Sequence, residues 1–114
     1  MQAPYLAVAN AEDLKPGEFL KVAADGRAFV IAQVGEDVYA VEDLCSHEDY
    51  PLSYGCLDGE RIKCSLHGSR FSLKTGAPED EPADQPIATF AVAIEDEQIW
   101  LDPSRATNAQ PGNA

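Results

Sequence analysis

The chain has two histidines, His47 and His67, and each stands beside a cysteine, in Cys45-Ser46-His47 and in Cys64-Ser65-Leu66-His67. Thiolate and imidazole are the side chains that bind zinc, copper and iron–sulfur clusters, so the first question is what two such pairs could hold. An ordinary buried thiol or surface histidine accounts for any one of these residues alone. It accounts poorly for every imidazole of the chain standing in matched places beside two of its three thiols. A tetrahedral Cys₂His₂ zinc site is a second reading. Zinc frameworks commonly draw both cysteines from one segment and both histidines from another, whereas each segment here supplies one of each. The third reading is a [2Fe–2S] cluster in which histidines replace cysteines on one iron. Cys45 and Cys64 then hold one iron as thiolates, and His47 and His67 hold the other. The residue types alone leave zinc and cluster open.

Something must bring the two segments together, and the intervening residues contain it. Asp58-Gly59-Glu60 lies between Gly55-Cys56-Leu57 and Arg61-Ile62-Lys63, which predicts a small hairpin whose ends run into the two Cys/His pairs. Further strands are predicted at 18–22, 27–34, 38–42, 87–94 and 98–101, all rich in β-branched and aromatic residues and separated by short turns such as Asp25-Gly26, Gly35-Glu36-Asp37 and Glu95-Asp96-Glu97. Helix is confined to one turn at Asn10–Leu14, stopped by Pro16-Gly17. Residues 76–86 carry three prolines and four acids and read as an extended loop. The segment from Pro103 to Ala114 has no large apolar side chain and reads as a disordered tail. The expected architecture is all-β, an antiparallel sandwich or barrel over residues 1–102, with 43–75 as a loop-rich subdomain at one end. Phe19, Phe29, Tyr39, Phe90 and Trp100 alternate with polar neighbours and are expected in the core, and Cys56 is expected to be a partly buried small hydrophobe.

Composition narrows the function. Eight Lys plus Arg against 20 Asp plus Glu give a net charge of −12 over 114 residues, which argues against nucleic acid, whose phosphates need cations. It favours solubility and steering toward basic patches on partner proteins. No run approaches the roughly 18 apolar residues of a membrane helix, and the first residues lack the basic and apolar regions of a secretory signal. A cytosolic setting is therefore expected, where an odd number of cysteines points to metal or redox chemistry and not to a disulfide framework.

Cys45-Ser46-His47 followed by Cys64-Ser65-Leu66-His67-Gly68 resembles the Rieske motif. PLSYGCLDGERIKC between the pairs and FSLKTG after them resemble the small Rieske ferredoxins of bacterial aromatic-ring-hydroxylating dioxygenases. The resemblance covers about Tyr5 to Leu101. It implies packed antiparallel sheets with a cluster-binding tip, one Rieske-type [2Fe–2S] cluster on Cys45, His47, Cys64 and His67, and a proline-containing loop near Glu81-Pro82-Ala83 covering it. It also implies an electron carrier and not an enzyme, taking electrons from a flavin-dependent ferredoxin reductase and passing them to a terminal Rieske oxygenase. The chain has neither the length nor spare histidines to be an oxygenase itself. A small Rieske subunit of another oxidoreductase, of the nitrite reductase type, and a structural zinc module are the alternatives.

Histidine ligation places such clusters at about −150 to +300 mV, against about −400 mV for plant-type ferredoxins. The respiratory-complex branch of the family has a disulfide across its ligand loops and Ser and Tyr hydroxyls donating to the cluster. Here Tyr50 and Leu66 replace the disulfide cysteines, Ser69 matches the serine, and Phe71 replaces the tyrosine. Each missing donor disfavours the reduced, more negative cluster, so a potential at the low end of the range is expected. Tyr50, Pro51 and Leu52 are expected either to pack over the cluster or to form an apolar contact rim.

Overall fold

The computed structural model describes residues 5–43, 51–64, 68–79 and 86–107. Among the described residues there are nine strands: β1 (Leu6–Asn10), β2 (Phe19–Ala24), β3 (Arg27–Val34), β4 (Asp37–Glu42), β5 (Cys56–Asp58), β6 (Arg61–Lys63), β7 (Arg70–Ser72), β8 (Thr89–Glu95) and β9 (Gln98–Ala106). They form a six-stranded sheet in the order β1-β9-β8-β4-β3-β2 and a three-stranded sheet in the order β5-β6-β7. Every pairing is antiparallel. The large sheet curls until β1 and β2 face each other, so it is nearly a closed barrel. Among the described residues no helix is long and apolar enough to cross a membrane.

Two-residue turns set the register. Ala24 pairs with Arg27 across Asp25-Gly26 and Val34 with Asp37 across Gly35-Glu36. Glu95 pairs with Gln98 across Asp96-Glu97. Short loops of this kind join neighbouring antiparallel strands and carry the twist that curls a sheet.

The central feature is β3, whose residues Phe29, Val30, Ile31 and Ala32 are all fully buried. An antiparallel strand with one wet face shows alternation; an unbroken apolar run means that both faces are covered. Phe29 and Ile31 point into the barrel with Leu14, Val22, Ala40, Phe90, Ile99 and Leu101. Val30 and Ala32 point the other way, against Leu52, Ile62, Cys64, Phe71, Leu73 and Ile87 beneath the small sheet. Neighbouring β4 divides likewise, with Ala40 in the first cluster and Val41 in the second. These strands are thus a wall shared by two cores, each large buried side chain contributing about 1.5–3 kcal/mol. Inside the barrel the Phe29 and Phe90 rings meet edge to face, centroids 5.0 Å apart. The Arg27 guanidinium lies 5.0 and 5.2 Å from the two ring centres and donates to the Pro103 carbonyl at 3.0 Å.

The small sheet has three-residue strands and is too short to stand alone. Its apolar face, Ile62 and Phe71, seats on the wall. Leu73 N–H donates to Glu60 O at 2.8 Å and Ile87 N–H to Gly76 O at 2.8 Å. Tyr39 Oη on β4 donates to the Glu60 carboxylate at 3.3 Å. Arg70 pairs with Asp58 at 2.9 Å, and Arg61 with Glu79.

The all-β expectation holds, with the predicted strand at 27–34 matching β3 and the small hairpin matching β5 and β6 to within a residue. Several elements differ. β1 and β7 were not expected. The turn at Asn10 is a 3₁₀ turn over Ala11–Asp13, without a side-chain hydrogen bond from the Asn10 cap. At the start of the segment expected as a disordered tail, β9 continues to Ala106 and Pro103 is buried, while residues 108–114 lie outside the described residues. A bulge permits this: Ala91 pairs with Asp102 but Phe90 pairs with Ala106, so residues 103–105 have no ladder partner and the proline forfeits no hydrogen bond. Cys56 is exposed, not partly buried, because its side of β5 faces away from the wall. Phe29 and Phe90 are core, Phe19 and Tyr39 pack at the edge of the inter-sheet cluster, and Trp100 is half-buried with its indole N–H on Glu95 O at 3.1 Å.

Candidate metal centre

Of the four residues whose types suggest a metal, Cys64 is described; Cys45, His47 and His67 lie outside the described residues, as do Tyr50, Leu66 and the expected covering loop at 81–83. Cys64 follows β6 directly, is 1% exposed and forms no disulfide. Its neighbours in the inter-sheet cluster include Leu52, Ile62 and Phe71. The backbone closes tightly around it: Cys64 N–H donates to Ser69 O at 2.8 Å, and Gly68 N–H donates back to Cys64 O at 2.9 Å. The described residues on either side of 65–67 are therefore tied to each other at one point. Ser69 is 1% exposed at that point, a buried hydroxyl five positions after the cysteine. Phe71 is fully buried in the core, so the position that lacks a donor is filled by packing.

The described residues that flank the segment carrying Cys45 and His47 are tied as well. Before it stands Asp43, after the end of β4, and beyond it Pro51, where a 3₁₀ turn covers Leu52–Tyr54. Asp43 is 7% exposed and accepts hydrogen bonds from Ser53 on both carboxylate oxygens, from the backbone N–H at 2.7 Å and from the hydroxyl at 2.8 Å. Lys21 Nζ on β2 lies 3.4 Å from the same carboxylate. Leu52 is fully buried and belongs to the core, so it forms no contact rim. The exposed aromatic near this end is Tyr54, at 64%.

The two tied segments meet at Gly55. A Cβ at this position would stand 1.7 Å from the Lys63 carbonyl oxygen and 3.3 Å from that of Leu52. No side chain fits, so glycine lets the end of the first segment lie directly on the residue that precedes Cys64. Asp43, Ser53 and Gly55 were not singled out from sequence. The available signal was weak: a carboxylate two places before Cys45, and a glycine between a 3₁₀ turn and a hairpin.

Among the described residues no group of three or more His, Cys, Asp or Glu side chains stands together. The one described candidate ligand, Cys64, is a buried free thiol of the type that an iron–sulfur group takes, with the buried Ser69 beside it and the described residues that follow the first candidate segment packed against the residue before it.

A family model described as the Rieske [2Fe-2S] domain matches residues 4–91. The chain is 34% identical over 95 residues to the ferredoxin component of biphenyl 2,3-dioxygenase from Rhodococcus jostii (strain RHA1), spanning 83% of this chain and 89% of that one. It is 35% identical over 102 residues to ferredoxin CarAc of Metapseudomonas resinovorans, spanning 89% and 95%. Among solved structures it superposes, with a TM-score of 0.82 and 33% identity, on a chain from a complex of reduced oxygenase and oxidized ferredoxin in carbazole 1,9a-dioxygenase, covering 89% of this chain and 94% of that one.

Proposed function

The chain belongs to the Rieske [2Fe-2S] domain family, and on that premise we propose that it is a single-electron carrier, the ferredoxin component of an aromatic-ring dioxygenase system. It takes electrons from a flavin-dependent reductase and passes them to a terminal Rieske oxygenase. The observation that carries the reading is coverage: the similarity spans 89% and 95% of relatives that are named as ferredoxins. The relative in the solved complex is a ferredoxin together with its oxygenase, which supports the choice of acceptor.

Cys45 and Cys64 serve as the thiolate ligands and His47 and His67 as the imidazole ligands of one Rieske-type cluster. When bound, the cluster accepts and releases one electron, the oxidised form being formally neutral with two thiolates and the reduced form carrying one negative charge. The protein's share is to hold four ligands in place through both states and to set how readily the extra negative charge is accepted. The tied neck at Cys64 and the Ser53–Asp43 clamp do the first. Ser69 contributes a buried hydroxyl toward the second, and the donorless Phe71 supports a potential at the low end of the Rieske range. The net charge of −12 suits brief, salt-sensitive encounters with basic docking faces in the cytosol.

The test is an EPR spectrum of the dithionite-reduced protein with iron and zinc analysis. Two irons per chain and a rhombic signal of low average g are expected. One zinc per chain with no signal overturns the reading. Stable co-purification with a large partner assigns the chain instead to a permanent redox subunit.

A further inference from the structure

We propose that Asp43 is the positioning residue of the first ligand segment, holding Cys45 and His47 through a two-point carboxylate clamp on Ser53; this rests on the ligand reading above. Asp43 is the last described residue before that segment and Ser53 stands just beyond it. The carboxylate side chain is only 1% exposed. Burying a charge is costly unless hydrogen bonds and a countercharge replace the lost water. Here both oxygens are occupied, one by Ser53 N–H at 2.7 Å and one by Ser53 Oγ at 2.8 Å, with Lys21 Nζ 3.4 Å from the second. Charge-assisted bonds of this length are the strong kind. Asp43 is itself fixed, since its N–H donates to Ala28 O at 3.0 Å. One rigid residue of the barrel wall thus grips the far end of the segment by main chain and side chain together.

The barrel gains little from this arrangement. An apolar residue at position 43 would cost no desolvation, and the wall is already sealed by Val30 and Val41. What the carboxylate does that no apolar side chain can do is close the ends of the segment on each other. Gly55 then transmits that fixed point to Lys63 and so to Cys64, which sets the two ligand segments against each other from one anchor.

The experiment uses the purified holoprotein and follows iron release to a chelator, together with the EPR line shape after reduction. Asp43→Ala removes both acceptors and is expected to speed iron release about 10- to 100-fold and to broaden or shift the reduced signal. Ser53→Ala keeps the backbone bond and is expected to show a smaller acceleration. Asp43→Asn can still accept from Ser53 N–H and donate to Ser53 Oγ, so it is expected to restore release to near the wild-type rate. Ile99→Val, a barrel-core change away from the clamp, is expected to lower the melting temperature without changing iron release. Wild-type release and line shape in Asp43→Ala, or equal acceleration in Ile99→Val, overturns the proposal. So does Asp43→Asn releasing as fast as Asp43→Ala. Where Asp43→Ala cannot be obtained folded, the order Ser53→Ala faster than Asp43→Asn decides the matter by the same readout. A wild-type chain without iron overturns the ligand reading itself, and that result is obtained before any variant is made.

Discussion

The barrel and the small sheet are built from the same kind of strand, yet they are held together differently. Barrel strands run up to nine residues, are paired along most of their length and enclose a core of Phe29, Ile31, Phe90, Ile99 and Leu101. The small sheet has strands of three residues, one seated face, and ties made of single hydrogen bonds and exposed ion pairs. Exposed pairs of that sort contribute about 0–1 kcal/mol each, so Arg70–Asp58 cannot substitute for burial. The barrel encloses a core of its own, and the small sheet is a holder that depends on the wall behind it and on whatever bridges its loops. The difference places the proposed metal-binding end on the part of the molecule with the fewest independent means of support, where a bound cluster has the most to add.

The sharpest way to break this contrast is at the junction. Gly55→Ala forces a methyl group onto the Lys63 carbonyl, and it is expected to cost more than about 4 kcal/mol or to abolish iron loading, read by iron content and thermal melting. Next in size is a matched pair of core truncations, Phe29→Ala in the barrel and Phe71→Ala under the small sheet, each expected to cost about 3–5 kcal/mol. The contrast predicts different symptoms: Phe29→Ala lowers the melting temperature of apo and holo chains alike, whereas Phe71→Ala accelerates iron loss more than it lowers the apo melting point. Equal symptoms would mean that the two regions melt as one.

Smaller effects sharpen the same picture. Ser69→Ala removes the buried hydroxyl at the Cys64 neck and is expected to lower the midpoint potential by about 20–60 mV, the equivalent of one hydrogen bond of about 0.5–1.5 kcal/mol, with no change in barrel stability; voltammetry reads it. In the barrel, the Asp96-Glu97 turn holds two non-glycine residues at φ 54° and 63°. Glu97→Gly is therefore expected to stabilise the apo protein by about 0.5–1 kcal/mol and to leave the potential untouched. The smallest effect is at the tie between the regions. Burial, then Glu60 and Asp37, raise the Tyr39 pKa above its ordinary 10.0. A raised folded-state pKa gives stability that is complete below pH 10 and lost as pH climbs through the folded value, so Tyr39→Phe is expected to flatten the alkaline limb of a pH–stability curve.

The barrel was largely legible in the sequence because its hairpins are punctuated by two-residue polar turns between runs of β-branched residues, which fix both register and length. β1 was not, since Leu-Ala-Val-Ala-Asn is a half-exposed edge whose strand character comes from β9 beside it. β7 was missed because three residues acquire a conformation only from their partner β6. The continuation of β9 past Pro103 was missed because a proline ordinarily ends a strand, and the bulge that exempts it is a property of the pairing. At the proposed metal end, types and spacing singled out the candidate ligands, of which Cys64 is described and Cys45, His47 and His67 lie outside the described residues. Asp43, Ser53 and Gly55 were not singled out, because an aspartate, a serine and a glycine are ordinary until the fold shows what each one touches.

The two-sided burial of β3 bears on how this protein can change length. In a strand with one wet face, a slip of one residue sends apolar groups into water, and polarity guards the register. In β3 the same slip would leave every apolar group buried but exchange the tenants of the two cores, pressing Phe29 and Ile31 into the space shaped for Val30 and Ala32. Volume, not polarity, is what guards the register here. Single-residue insertions and deletions should therefore be excluded from β3, and tolerated length changes should collect in the turns on either side of it.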